Sequence, residues 1–509
     1  MKKIQIGISK LTPGWQIILD QIGVNYCQIL QNKPIDPNDY SLLVINSDDI
    51  ELEFLNKWSA AGGAILWEAL AYCSLNNIHS KTRFLKSILP KFEYKFLGII
   101  DFYCKFTFPL DDSLIIKDQK LGITRKELNI VLPFSLNNLI LDDRKMRKRF
   151  YAKRDELPSE LVNKVSKGRI RILVQSLMEE LHHKQKLPFV HKWYFPKKAK
   201  SVFIFRVDTD FCNSEDASMI FETCEKQNIN GSWFLDTESE DKIENTYLKF
   251  VSQELGLHCD THIVFEDFEN NLINLQNGLN KLNKFKINPK GFAAPYGQWN
   301  CNLGKAVEFL DFHYSTEFSL DYDNLPFYPF VDDHFSKVLQ LPIHPISPGR
   351  LRRSHFSSEE MKIYFREVTN RCINMKIPVI IYHHPHHQLV EILDEYFAYI
   401  NQIKLPKITM LEYTNWWEKR NLTQSKIKYD GKNLIAEDAD MEMFYRISTS
   451  DGEKIISLDK PVEANSELQQ FVPLKCNETC KMRKWNWRDL LYNYESYHSK
   501  KKMRSKSKL

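Results

Sequence analysis

Between residues 200 and about 415, short apolar runs recur at Val202–Val207, Ser232–Leu235, Leu255–Leu257, Gly291–Ala294, Phe312–Ser315, Val338–Leu341 and Val379–Tyr382. Most gaps between them are about 20 to 40 residues, room for a loop and a crossover helix, so parallel pairing is expected. Seven such units predict a barrel of strand–helix repeats. Polar and ring-bearing residues follow these runs closely: Asp208 and Asp210, His258 and His262, Tyr296, and His384. That is the C-terminal rim of the strands, where barrels of this kind keep their chemistry.

Residues 1–110 alternate differently. Ile4 to Ile8, Ser41 to Ile45 and Ala64 to Trp67 read as buried strands. Leu52, Phe54, Leu55 and Trp58 fall at helical spacing, and Gly62-Gly63 ends that helix. The strand–helix–strand order predicts a small α/β domain that looks flavodoxin-like or amidotransferase-like. Cys73 is the nucleophile candidate there, but no flanking glycines build a strained elbow, and a structural role is expected. From Leu141 to Lys200 the chain is rich in lysine and arginine, with a helical pattern around Ile170 to Leu181, and 111–199 reads as a helical connector. The barrel is expected over 200–418. Beyond Trp416-Trp417, β-prone runs broken by Asp430-Gly431 and Asp451-Gly452 predict a β-rich appendage over 419–498.

Composition narrows the function classes. A chain of 509 residues with 43% hydrophobic and 27% charged positions has material for several cores, which excludes a mainly disordered protein. No apolar run is long enough for a membrane span, and Met1 to Leu11 reads as a first strand rather than an export signal. The net charge is +5, but six positive charges sit in the tail at 499–509, leaving −1 for the rest. A nearly neutral body does not suit nucleic acid. The basic tail reads as a disordered end capable at most of a weak anionic-surface contact. Ten scattered cysteines fit reduced thiols and a cytoplasmic location. Cys476 and Cys480 form a C-x-x-x-C pair that lacks two further ligands for zinc.

Asp-x-Asp occurs three times and His-x-x-x-His twice, so neither motif is informative alone. Their placement is: Asp208-Thr209-Asp210 ends one apolar run, and His258 and His262 follow another. Two imidazoles four residues apart can share a cation with a carboxylate, which Asp210 would supply. Three protein ligands leave positions for water and substrate, the catalytic pattern. A second carboxylate, Asp208, suits a general base, and His384 a proton donor to the leaving amine.

With these residues in place, the stretch 200–400 resembles the polysaccharide deacetylase family, in its Asp-x-Asp variant. Phe205-Arg206-Val207-Asp208-Thr209-Asp210 matches the opening motif, His258 and His262 the metal motif, Pro295-Tyr296-Gly297 the Pro-Tyr motif, and His384-Pro385 the final His-Pro motif, with Leu341-Pro342-Ile343-His344-Pro345 as a rival. The resemblance implies a distorted seven-stranded β/α barrel and a divalent metal, most often zinc, on Asp210, His258 and His262. It implies Asp208 as base, His384 as acid and the Tyr296 N–H facing the oxyanion. One departure stands out: the family's arginine before Pro-Tyr falls at Ala293. That arginine holds the catalytic aspartate, so either Asp208 loses its orientation or another group replaces it. Arg206 is near in sequence, on the opposite side of its strand from Val207.

The expected activity is metal-dependent removal of an acetyl group from an N-acetylated sugar, with a small-molecule or lipid-linked glycan as substrate. Two rival classes are a carbon–nitrogen hydrolase acting on a cyclic amide or ureide, and a non-catalytic carbohydrate-binding protein.

Overall fold

The computed structural model describes residues 1–29, 36–438 and 440–472. The basic tail, the Cys476–Cys480 pair and the end of the expected appendage lie outside these residues.

The central unit is a curled sheet of seven parallel strands, in spatial order Leu339–Gln340, Tyr314–Ser315, Gly291–Phe292, Glu254–Cys259, Ser232–Asp236, Phe203–Asp208 and Val379–His383. Each falls on one of the seven apolar runs, so the expected β/α barrel is present. The last strand pairs with the first, Phe203 opposite Val379 and Val207 opposite His383, which brings the His383-His384 end beside the Asp208 end. The His344 N–H donates to the Ile380 carbonyl (2.9 Å), tying the segment after Leu339–Gln340 back towards the last strand. Helices clothe the sheet, and their starts are written in the sequence. Asn213 with Asp216, Ser357 with Glu360 and Thr409 with Glu412 form reciprocal capping boxes at the helices Ser214–Lys226, Ser358–Asn374 and Met410–Leu422. Large buried side chains such as Trp233, Phe205 and Phe397 fill the space between sheet and helices.

The N-terminal unit is the expected small α/β domain. Its parallel strands run Tyr26–Gln28, Ile6–Ile8, Leu42–Ile45, Ile65–Glu68 and Asn129–Leu132 in space, the 2-1-3-4-5 order of flavodoxin-like sheets. Two antiparallel strands, Ile123–Lys126 and Ile115–Asp118, extend it. At the switch in strand order, Ser9 Oγ donates to Asn46 Oδ1 (2.9 Å) and accepts the Asn46 and Ser47 N–H groups, so the crevice is laced by the chain itself. Cys73 is buried in the helix Ala69–Leu75, and burial pushes its thiol up, as suits a structural residue.

The expected helical connector over 111–199 is corrected by the structure. Residues 115–132 are strands of the N-terminal sheet, Lys145–Arg149 and Ser159–Asn163 form a hairpin, and the helix itself is Lys167–Lys184. The strongly basic composition misled because several of these charges are interior and paired. Arg125 bonds Glu180 (Nη2 to Oε2, 2.8 Å), and Lys148 pairs with Asp101 (3.0 Å).

The β-rich appendage is stitched from distant segments. Lys2–Lys3 pairs with Lys426–Tyr429, followed by Asn433–Glu437 and Val462–Glu463, while Phe189–Lys192 pairs with Phe444–Thr449 and then Gly452–Ser457. The Asp430-Gly431 turn has Gly431 at φ +103°, and the Asp430 carboxylate accepts the Lys432 and Asn433 N–H groups. Buried Arg420, on the last barrel helix, donates to the carbonyls of Asp20, Gln21 and Ile22 at the end of the helix Pro13–Ile22, and to those of Lys192 and Trp193. Gly23 lies against that guanidinium at φ +83°, where a Cβ would stand 2.1 Å from Arg420 Nη2.

Candidate metal centre and active site

Every predicted site residue lies at the C-terminal rim of the barrel strands. Asp208 is the last residue of its strand, and Thr209 pins the turn that follows. Its N–H (3.1 Å) and Oγ1 (3.2 Å) both donate to the Phe234 carbonyl, and Oγ1 accepts the Asp236 N–H (2.9 Å). This turn delivers Asp210 to the histidines. Asp210 Oδ1 is 3.6 Å from His258 Nε2, and Asp210 Oδ2 is 3.6 Å from His262 Nε2.

His258 Nδ1 lies 2.6 Å from the Ala293 carbonyl, a bond it can only donate, which leaves Nε2 as the lone-pair nitrogen facing Asp210. Asp210 Oδ1, His258 Nε2 and His262 Nδ1 are buried without a hydrogen-bond partner, an arrangement a protein seldom leaves without a purpose. One ligand atom from each of the three residues lies within 4.8 Å of the others. Burial, then the Asp208 and Asp236 carboxylates, push Asp210 well above the usual carboxylate range. Burial pushes His258 down, and pushes His262 to about 3. Neutral imidazoles and a carboxylate crowded by other carboxylates are what a divalent cation would meet with advantage, so the residues fit one.

Asp208 is held by Arg206. Two residues apart on one strand, they share a face. Arg206 Nε donates to Asp208 Oδ1 (2.7 Å), Nη2 to Oδ2 (2.8 Å), and Nη1 to the Thr316 carbonyl (2.7 Å). The guanidinium lies between the rings of Phe234 and Tyr382, at 5.4 and 5.5 Å. A guanidinium therefore meets this aspartate even though position 293 is a buried alanine.

His384 Nε2 is 3.9 Å from Asp208 Oδ2 and 3.6 Å from Asp210 Oδ1, and its Nδ1 is buried without a partner. Burial, then the neighbouring histidines, push it well below the usual range. Two histidines close by in sequence are engaged elsewhere: His383 Nε2 meets the Gln388 carbonyl (2.9 Å), and His386 Nδ1 the Asp210 carbonyl (3.2 Å). The rival His344 is locked between Asp323 (2.9 Å) and the Tyr364 hydroxyl (3.0 Å). Tyr296 sits in the turn Pro295–Gly297 at φ +57°, its ring 4.6 Å from His262. Gly297 follows at φ +58°, and a Cβ there would run into Phe318 at 2.3 Å.

Sequence reasoning missed Asp236, whose carboxyl is raised by burial and lies near enough to Asp210 and His258 to perturb both. The signal was available, since Asp236 ends the strand Ser232–Asp236 at the same rim.

No family model matches the sequence, and no curated protein matches it. Among solved structures, the chain is similar to a protein from Mycobacterium smegmatis assigned as a polysaccharide deacetylase (15% identity, TM-score 0.38, covering 46% of this chain and 95% of that one). It is similar to peptidoglycan deacetylase PdaC from Bacillus subtilis (13% identity, TM-score 0.32, covering 43% and 93%). A third is a CE4 family pseudoenzyme from Bacillus anthracis (16% identity, TM-score 0.31, covering 43% and 66%). The likeness to these polysaccharide deacetylase structures is one of fold and covers less than half of this chain.

Proposed function

We propose that this protein is a metal-dependent hydrolase that removes the acetyl group from an N-acetylated sugar or sugar-containing precursor. The observation that carries the reading is the convergence of Asp210, His258 and His262, with unpartnered ligand atoms, beside an aspartate clamped by a guanidinium. Asp210, His258 and His262 would hold a divalent ion, zinc by the two-imidazole, one-carboxylate donor set. Such an ion supplies Lewis-acid polarisation of the acetyl carbonyl and a more acidic water.

The chain's own groups do the rest. Asp208 takes a proton from the attacking water while Arg206 keeps its carboxylate aimed. The new C–O bond forms at the acetyl carbon, and the Tyr296 N–H donates to the oxygen that gains charge. His384 Nε2 hands a proton to the sugar nitrogen as the C–N bond breaks, giving acetate and the free amine. His384 Nε2 lies within 4 Å of both Asp208 and Asp210, so a proton taken up by the base has a short path to the histidine.

Acetate release from a panel of N-acetylated sugars, with zinc supplied and then chelated, tests the reading. Release that stops on chelation is expected, as is loss of metal in His258→Ala. Metal content equal in His258→Ala and wild type, or no acetate from any sugar tried, would overturn it.

A further inference from the structure

The mouth of the site carries two exposed rings. Phe211, directly after Asp210, is 66% exposed, its centroid 5.0 Å from His262 and 6.1 Å from His386, close to perpendicular to both. Tyr296 is 50% exposed and 4.6 Å from the same His262. Among the described residues five aromatic side chains are at least half exposed, the others being Phe84, Phe92 and Phe309, and two of the five meet on one histidine of the candidate metal triad.

An exposed phenylalanine alone means little. The backbone of this one adds a second observation: Phe211 has φ +59°, in the left-handed region that glycine enters without a penalty and a residue with a Cβ does not. Among the described residues it joins none of the hydrophobic clusters. So the position bears a strained backbone and a solvated ring, with no core packing to offset them. Strain of this kind gathers where a side chain must be presented to a ligand.

The ligand chemistry follows from what the rings can recognise. A pyranose has a face lined with C–H groups, and an aromatic face carries the negative side of its quadrupole, so the two attract while both are desolvated. A rigid ring with two torsions also loses little freedom on binding. We propose that Phe211, with Tyr296, is the seat for the sugar ring, taking the C–H face of the N-acetylated pyranose and setting its acetamido group over the triad. His386 braces Phe211 and is itself held on the Asp210 carbonyl, so seat and metal ligand move as one piece. This rests on the deacetylase reading above and assigns Phe211 as its specificity-determining residue.

The test uses the full chain with zinc, tri-N-acetylchitotriose as the sugar and an aryl acetate as a ringless-sugar control, measuring acetate release, calorimetric sugar binding, metal content and thermal midpoint. For Phe211→Ala, KM and the sugar Kd should rise about tenfold, the factor given by 1.4 kcal/mol. The loss of kcat/KM should be several-fold larger for the sugar than for the aryl acetate, at unchanged metal content. Phe211→Tyr should restore sugar binding to within about threefold, since it keeps the ring face. Phe211→Gly should bind sugar as poorly as the alanine variant yet melt higher, since it removes the left-handed strain. If wild type releases acetate and Phe211→Ala has the same KM and Kd, the seat is refuted and the enzyme reading stands. If wild type releases no acetate but binds the sugar through Phe211, the seat stands and the catalytic reading falls. If wild type neither binds nor cleaves the sugar, both fall. Loss of thermal stability in Phe211→Gly together with loss of sugar binding would make the residue structural and overturn the proposal.

Discussion

Arg206→Met gives the sharpest test of how the site is held. The guanidinium makes two charge-assisted bonds to Asp208 at 2.7 and 2.8 Å and one to the Thr316 carbonyl at 2.7 Å, and both side chains are shut off from solvent. Methionine fills much of the volume between Phe234 and Tyr382 but leaves a buried carboxylate without a cation. Breaking one side of a buried pair costs about 3–5 kcal/mol. The protein can meet that by unfolding more readily or by moving the carboxylate out of line, and either outcome disables the base proposed above. Expected are a fall of about 10²-fold or more in kcat, the range for a positioned base, and a lower urea midpoint, with zinc still bound. Arg206→Lys should fall between, because one ammonium cannot reproduce the two-pronged contact. Ala293→Arg should bring no gain, since Asp208 already has its guanidinium and position 293 is fully buried; overpacking should cost about 1–3 kcal/mol. The assays are acetate release, urea unfolding and elemental analysis on each variant. Wild-type kcat in Arg206→Met, or faster turnover in Ala293→Arg, would refute the argument that Arg206 has taken over the clamp.

The two aspartates should part company: Asp210→Asn should lose zinc by elemental analysis, whereas Asp208→Asn should keep it and lose about 10²–10⁴ in rate. The reverse pattern would exchange their roles. Glu68 accepts the Trp15 indole N–H (2.8 Å) and the Leu136 N–H (2.9 Å), and burial pushes it up from an ordinary 4.5 to about 7. Its folded value being the higher, the stability tied to its proton is complete below about pH 4.5 and is lost as the pH rises to about 7, ~3 kcal/mol in all. Glu68→Gln, which keeps an acceptor, should match wild type in urea at pH 4.5 and exceed it at pH 8; equal pH dependence would refute this. Arg420→Lys should lower the unfolding free energy by about 2–4 kcal/mol, because an ammonium cannot serve five carbonyls spread around a plane. An unchanged urea midpoint would show that those carbonyls bind water instead.

The barrel was legible because each of its strands is a short apolar run set between turn signals and polar rim residues, and seven of seven runs became strands. The region 111–199 was not, since charge in a sequence normally marks solvent. Arg125 and Lys148 are interior, compensated by Glu180 and Asp101, which lie far away in sequence. No local pattern reports a partner brought by the fold. At the site, strand alternation already put Arg206 and Asp208 on one face, but only the structure gives the two-pronged bond. It likewise takes the pairing of the last strand with the first to set His384, rather than His344, beside the aspartates. Asp236 and Phe211 carry no motif; one is a strand-end acid, the other a ring whose backbone angle no sequence displays.

The stitching of the appendage has a consequence for how the molecule assembles. Lys2 pairs with Tyr429 and Val190 with Ile447, so these sheets join segments separated by most of the chain in the first case and half of it in the second. During synthesis the strand Lys2–Lys3 must wait, edge exposed, until residues beyond the barrel have emerged, and no local contact can hold its place. Closing so long a loop costs chain entropy before any ladder bond is gained, although that cost grows only slowly with length. Most barrel strands pair with the next in sequence, and the longest closure there, Phe203 with Val379, is far shorter than that of Lys2 with Tyr429. Assembly should therefore run from the barrel outward, with the appendage sheets closing last, as a clasp over finished domains.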